Sequence, residues 1–213
     1  MIINEIFLSV QGEGLNSGIP TIFIRTTGCN LRCKWCDTKY SYFEGKEMTL
    51  ENIFKECKKY YAKHICITGG EPLVQRDEIV KLVNLLIKEK FNVQLQTNGS
   101  MNISNLPKGL EVIMDVKCPS SSMEDKTIYE NFKFIKSNDS VVFVISDVND
   151  YNFSKKIIKK YGLEKRVNVL IQPVFEKSNF GEEIVKRILQ DKLNVRFGIQ
   201  LHKIIWNPKK RGV

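Results

Sequence analysis

The sequence has no apolar run long enough to cross a membrane. Its opening, Met1-Ile2-Ile3-Asn4-Glu5, lacks the basic start and long apolar core of a secretion signal. There is no internal repeat, no low-complexity tract and no Pro- or Gly-rich linker, so no domain boundary is placed and residues 1–213 are expected to form a single domain. Histidine is scarce, with His64 and His202 the only two. These absences argue against a membrane protein and against a repeat array, and they leave a chain expected in the cytoplasm. At 213 residues it is long enough to bury a substantial core. In a reducing compartment its six cysteines are expected to bind metal rather than to form disulfides.

Charge is unbalanced, at +9 with 33 Lys and Arg against 24 Asp and Glu. The lysines are nevertheless spread, as Lys58-Lys59, Lys155-Lys156, Lys159-Lys160 and Lys209-Lys210-Arg211. They are read as solvated faces rather than a nucleic-acid stripe, a distribution compatible with attracting a small anionic substrate.

What the chain does have is Cys29-x-x-x-Cys33-x-x-Cys36, within Gly28-Cys29-Asn30-Leu31-Arg32-Cys33-Lys34-Trp35-Cys36-Asp37-Thr38. Three thiolates so close in sequence can grip one face of an inorganic centre. No fourth cysteine or histidine is near enough in sequence to close the shell, and an open metal position points to chemistry. Two other readings stand beside this one. A zinc site would need a fourth ligand brought in by folding from His64, His202, Cys57, Cys66 or Cys118. Three separate buried thiols would pack as small hydrophobes, which the polar flanks Asn30, Arg32, Lys34 and Asp37 disfavour.

Short β-branched and aromatic runs predict strands at Asn4–Val10, Thr21–Thr27, His64–Thr68, Asn92–Thr97, Glu111–Val116, Val141–Ser146, Val167–Gln172 and Val195–Gln200. Helices are predicted from Thr49 as N-cap to about Lys63, with an apolar stripe of Ile53, Phe54, Cys57, Tyr60 and Tyr61, and near Asp77–Lys90, Asp125–Ser137, Asn149–Tyr161 and Gly181–Gln190. The gap Asn98–Leu110, with Pro107 and Gly109, is too short for a full crossover helix. Alternating strands and helices argue for a parallel sheet, and there are too few units for an eight-fold barrel. The predicted fold is α/β, a partial (β/α)6 barrel with an N-terminal strand extension. Ligands gather at the carboxyl ends of such strands, where the cysteine loop, Gly69-Gly70, Asn98, Lys117 and Gln172 fall.

Thr68-Gly69-Gly70-Glu71-Pro72 joins a strand to a helix, and its glycines let the backbone approach a ligand. Alone it would be an ordinary turn. Together with the cysteine loop it resembles the radical S-adenosylmethionine superfamily, in which a Gly-Gly-Glu-Pro segment contacts the methionyl part of the cofactor. The order Asn4-Glu5-Ile6-Phe7, Gln11-Gly12-Glu13-Gly14, Phe23-Ile24-Arg25, Cys36-Asp37-Thr38, Gln96-Thr97-Asn98-Gly99, Gln172-Pro173 and Gln200-Leu201-His202-Lys203 resembles the 7-carboxy-7-deazaguanine synthase family.

That resemblance implies conversion of 6-carboxy-5,6,7,8-tetrahydropterin to 7-carboxy-7-deazaguanine, by radical ring contraction with loss of ammonia, on the way to queuosine- or archaeosine-type 7-deazapurine bases. It implies a 4Fe–4S cluster on Cys29, Cys33 and Cys36, and a magnesium ion at the Thr38 hydroxyl beside the substrate carboxylate. It places Trp35, Asp37, Gly70, Asp115, Val116, Lys117 and Gln172 around S-adenosylmethionine, and Val10, Gln11, Gly12, Arg25 and Thr68 around the substrate. It further implies an electron donor such as flavodoxin or ferredoxin, a homodimer, and no membrane or direct nucleic-acid partner. Departures are Gln96 where many relatives have Glu, and Asp115-Val116-Lys117 where many have Ser-Pro-Lys. Some relatives end at a proline near Pro208 whose carboxylate reaches the substrate. Here five residues follow Pro208, so that role is not carried over.

Cys57 and Cys66 are read as core residues and Cys118 as one that could approach the site; His64 is read as a strand-end residue, and His202 as either structural or active-site. The alternatives are a glycyl-radical-enzyme activase, which shares the cysteine loop but would not need Arg25 and Gln11-Gly12-Glu13-Gly14 for a carboxypterin, and a zinc-dependent RNA-binding module.

Overall fold

A computed structural model describes residues 1–175, 180–208 and 210–213. Lys209, counted above in the terminal basic run, lies outside them. The strands are β1 (Ile2–Val10), β2 (Pro20–Thr26), β3 (Lys46–Glu47), β4 (His64–Gly69), β5 (Asn92–Thr97), β6 (Glu111–Asp115), β7 (Ser140–Ile145), β8 (Asn168–Pro173) and β9 (Arg196–Phe197). They form one open sheet in the order β3-β1-β2-β4-β5-β6-β7-β8-β9. Pairing is parallel from β2 through β9, while β1 runs antiparallel to β2. This is the partial barrel with its N-terminal extension.

Alternation along each parallel strand builds two layers. Ile22, Ile24, Ile65, Ile67, Val93, Leu95, Val112, Met114, Val141, Phe143, Val169 and Ile171 belong to the main core, together with helix residues such as Ile53, Leu82, Leu86, Ile158 and Ile184. The opposite face carries a smaller cluster of Ile113, Val142 and Leu170 with Val144, together with polar residues.

The helices are α1 (Leu50–Cys57), α2 (Arg76–Lys88), α3 (Val148–Tyr161), α4 (Gly181–Gln190) and α5 (Leu201–Ile205). Thr49 caps α1 by accepting from Asn52 N at 3.2 Å. Asp147 caps α3 by accepting from Asp150 N at 2.9 Å, and Gly162 ends that helix in the left-handed region. Among the described residues no helix is long and apolar enough to cross a membrane.

Three expectations change. The first helix stops at Cys57 rather than Lys63, which leaves Tyr61 78% exposed and off the core stripe. The helix expected over Asp125–Ser137 is instead two 3-10 turns, Glu124–Lys126 and Tyr129–Lys133. Here tertiary bonding overrides local propensity: buried Asn131 donates to Gly99 O and Met101 O and accepts from Ile103 N, tying this segment to the loop after β5. The strand expected over Val195–Gln200 pairs only at Arg196 and Phe197, with Gly198 immediately after. The short pieces β3 and α5 carry no sequence pattern strong enough to reveal them. As expected, no helix occupies the gap between β5 and β6.

Candidate active site

The inward residues at the carboxyl ends of the parallel strands are Arg25, Thr68, Gln96, Asp115 and Val144, with Phe23, Ile113 and Val142 below them. All line one cavity of about 270 Å³. The loop after β2 closes over it and delivers Cys29, Cys33 and Cys36 to the same wall. The loop's path is set by backbone packing. Gly28 sits at φ +99°, and Glu71 N donates to Gly28 O at 2.8 Å. A Cβ on Gly70 would come within 2.2 Å of that carbonyl and 2.8 Å of Cys29 Cβ, so only glycine lets the two loops meet. Glu71 is fully buried and accepts from Leu73 N, Thr97 Oγ1 and Asn98 N, locking the turn after β4 to the end of β5.

Cys29 Sγ has Leu31 N at 3.4 Å and Asn98 Nδ2 at 3.9 Å as donors. Burial pushes the Cys29 and Cys33 thiols up, while the Lys117 ammonium works to lower both. Donors to sulfur and a nearby cation suit bound thiolates. Among the described residues no three His, Cys, Asp or Glu side chains converge tightly enough for a single ion. The three thiols share one cavity wall, a donor set that suits an iron–sulfur cluster. The other three cysteines are buried away from this wall. Burial pushes Cys57 and Cys66 to about 12. Cys118 does not reach the site: it packs against Ser154 Oγ at 3.5 Å.

Lys117 pairs with Asp115 and lies 5.6 Å from the Trp35 ring, whose Nε1 donates to Ser120 Oγ at 3.2 Å. Burial works against the Lys117 charge, but Asp115 and Cys33 outweigh it and hold the ammonium above its ordinary value. Among the described residues, Asp115 Oδ1 and both polar atoms of Gln172 are buried without hydrogen-bond partners. Orphaned polar atoms of this kind suit a polar cofactor such as S-adenosylmethionine. Trp35, Asp37, Gly70, Asp115 and Lys117 line the cavity. Gln172 stands behind the wall, and the Val116 side chain packs in the outer core.

On the other side, Val10, Gln11, Gly12, Arg25, Thr38 and Thr68 all line the cavity. Arg25 Nε donates to Glu5 Oε1 at 2.7 Å, and Tyr40 OH donates to the same oxygen at 3.1 Å. Among the described residues, the two terminal guanidinium nitrogens of Arg25 have no hydrogen-bond partner. Thr68 Oγ1 donates to Gln96 Oε1 at 2.9 Å. Thr38 holds the next turn through its carbonyl, which accepts from Ser41 N and Oγ, and its hydroxyl lies 3.7 Å from Cys36 Sγ.

Sequence reading left several wall residues unassigned: Glu13, Gln96, Asn98, His202 and Lys203. The signal was Gln200-Leu201-His202-Lys203 beyond the last strand. His202 packs on Gly12, where an added Cβ would meet Nδ1 at 2.0 Å, and burial pushes its pKa below the ordinary value. Lys203 Nζ pairs with Asp37 Oδ2 at 2.6 Å. Crowding acts to raise the Asp37 pKa, but the Lys203 ammonium reverses this and holds the carboxyl low. Pro208 is exposed, while the chain beyond it returns so that Val213 lines the cavity and Arg211 pairs with Glu44 at 2.8 Å.

An open parallel barrel with a three-thiol loop at its carboxyl face defines a radical S-adenosylmethionine protein, and the radical SAM superfamily pattern matches residues 23–170. The 7-carboxy-7-deazaguanine synthase of Clostridium acetobutylicum is 43% identical, over 98% of this chain and 97% of its own. That of Koribacter versatilis is 38% identical over all of both chains. Within the superfamily, the chain belongs to the 7-carboxy-7-deazaguanine synthase family. The crystal structure of QueE from Escherichia coli shares the fold, with a TM-score of 0.79 over 94% of each chain at 23% identity.

Proposed function

We propose that this chain converts 6-carboxy-5,6,7,8-tetrahydropterin to 7-carboxy-7-deazaguanine with loss of ammonia. The observation that carries the reading is the convergence on one cavity of three thiols and of Arg25, whose terminal nitrogens are unpaired among the described residues. A 4Fe–4S cluster held by Cys29, Cys33 and Cys36, together with S-adenosylmethionine, supplies the radical chemistry when bound. The chain's residues bind, orient and shield. Arg25, braced by Glu5, offers its terminal nitrogens to the substrate carboxylate as a two-pronged donor. Thr38 offers one hydroxyl oxygen to magnesium, which keeps its other ligands from substrate and water. Val10, Gln11, Gly12 and Thr68 contact the heterocycle. Trp35, Asp37, Gly70, Asp115 and Lys117 surround the cofactor, with Val116 and Gln172 supporting that wall from behind. Phe23, Ile113, Val142 and Val144 give the cavity an apolar floor that excludes water.

Residues 1–213 act in this reading as one domain in the cytoplasm, supplied with electrons by a small carrier such as flavodoxin or ferredoxin. Exposed Phe197, Ile199, Ile204 and Ile205, at the β9 edge and α5, support pairing of two copies as a homodimer. The test is anaerobic incubation of cluster-loaded protein with carboxypterin, S-adenosylmethionine, reductant and magnesium, with mass detection. The expected result is the deazaguanine product at a rate that rises with magnesium. Cofactor turnover without this product would refute the reading.

A further inference from the structure

A second cavity, about 470 Å³, opens at the amino-terminal ends of the strands, and its wall includes Asn16, Gln94 and Glu111. It is joined to the active-site cavity by a chain of side-chain hydrogen bonds. Gln11 Nε2 donates to Gln94 Oε1 at 2.8 Å, and Gln94 Nε2 donates to Glu111 Oε1 at 2.8 Å. Asn16 Nδ2 donates to the other oxygen, Glu111 Oε2, at 3.2 Å. Gln11 and Gln94 are buried, at 2% and 5% exposure, so neither amide has bulk water as an alternative partner.

An amide can be turned end for end at little cost, but an ionised carboxylate accepts only. Glu111 therefore draws the NH2 of Gln94 toward itself. Gln94 must then face Gln11 with its carbonyl, and Gln11 must answer with its own NH2. The remaining atom, Gln11 Oε1, accepts from Glu13 N at 3.3 Å and keeps acceptor capacity for the cavity that Gln11 lines.

We propose that Glu111, which lies outside the catalytic cavity, is a positioning residue that sets the polarity of Gln11 through Gln94, so that the site presents a carbonyl acceptor to an N–H edge of the substrate heterocycle. This rests on the assignment of Gln11 to substrate binding. Reversing the amide would set NH2 against the ring N–H groups and leave a buried donor unpaired. Selection of a nitrogen heterocycle with a donor edge is thereby controlled from the far end of the barrel.

The test is a double-mutant cycle read by carboxypterin affinity, with iron content and melting temperature as controls. Glu111→Gln keeps the shape and removes the acceptor-only end, so both amides gain freedom to turn. Gln11→Ala alone should weaken binding about tenfold, the scale of one lost buried hydrogen bond. Glu111→Gln should weaken it several-fold, with iron content unchanged, and should have no further effect in the Gln11→Ala background. Glu111→Asp, still acceptor-only, should recover part of the loss. Additive effects would overturn the relay, because Glu111 would then act independently of Gln11. An unchanged affinity for Glu111→Gln beside a weakened Gln11→Ala would also overturn it, while leaving the Gln11 contact standing. An unchanged affinity for Gln11→Ala would remove the contact and the relay together.

Discussion

Arg25 is placed by two carboxyl-side neighbours rather than by its own strand alone. Glu5 on β1 takes its Nε and Tyr40 braces Glu5, so the fork keeps one orientation. Arg25→Lys preserves charge but loses the planar pair of donors. Carboxypterin affinity is expected to drop about tenfold or more with iron content unchanged; an unchanged affinity would reduce Arg25 to a structural partner of Glu5. His202 makes a different case. Burial lowers its pKa, Lys203 and Arg25 add to that, and Glu13 and Asp37 oppose it. With the folded value below the ordinary histidine value of about 6.5, the unfolded chain binds the proton first as pH falls. Stability is complete above about pH 6.5 and should decline as pH falls through the folded value. His202→Gln should flatten that decline in melting curves taken from about pH 7.5 to about pH 5.5; parallel curves for parent and variant would show that His202 titrates alike in both states.

At the scale of elements, two turns meet over the cavity and their contact is backbone on backbone. Gly70→Ala forces a Cβ onto Gly28 O, and neither loop has a flexible side chain to yield. We expect a loss of about 1–3 kcal/mol in stability, together with reduced iron retention, because the displaced loop carries Cys29. Gly162→Ala is the control. It ends α3 at φ +60° with no atom within 4 Å of the added Cβ, so it should cost about 1–2 kcal/mol by backbone strain alone and leave iron content intact. Iron loss of equal size in both variants would contradict the loop-contact account. Most elements were legible because their pattern was local: β4 centres on an apolar run, β5 alternates polar and apolar residues, α2 begins after Pro72, and α3 starts at Asp147 and stops at Gly162. The segment Asp125–Ser137 was not, because Asn131 bonds to residues about thirty positions away. No window of sequence contains that partner.

For the molecule as a whole, charge and cavity electrostatics separate. The net charge is +9, yet the cavity's cations are paired, Lys117 with Asp115, Lys203 with Asp37 and Arg25 with Glu5. Long-range attraction of an anionic substrate therefore comes from the whole surface and is open to screening. Raising salt from about 0.05 M to about 0.5 M should lower kcat/KM a few-fold and leave kcat nearly constant. A salt-independent kcat/KM would show that capture relies on short-range contacts alone.

The sequence by itself determined the cysteine loop, the turn at Gly69-Gly70, the alternating strands and hence the open parallel barrel, since each depends on residue type and spacing over short stretches. The family resemblance singled out Cys29, Cys33, Cys36, Arg25 and Thr38 as candidates, and all five line the cavity. The tertiary structure alone decided which side chains share the cavity wall. It brought His202 onto Gly12 and Lys203 onto Asp37, and it left Val116 and Cys118 in the core. It also linked Gln11 through Gln94 to Glu111. These relations join residues up to 190 positions apart, from Gly12 to His202. They follow from barrel curvature and strand register, which turn an alternating pattern into a ring of facing side chains.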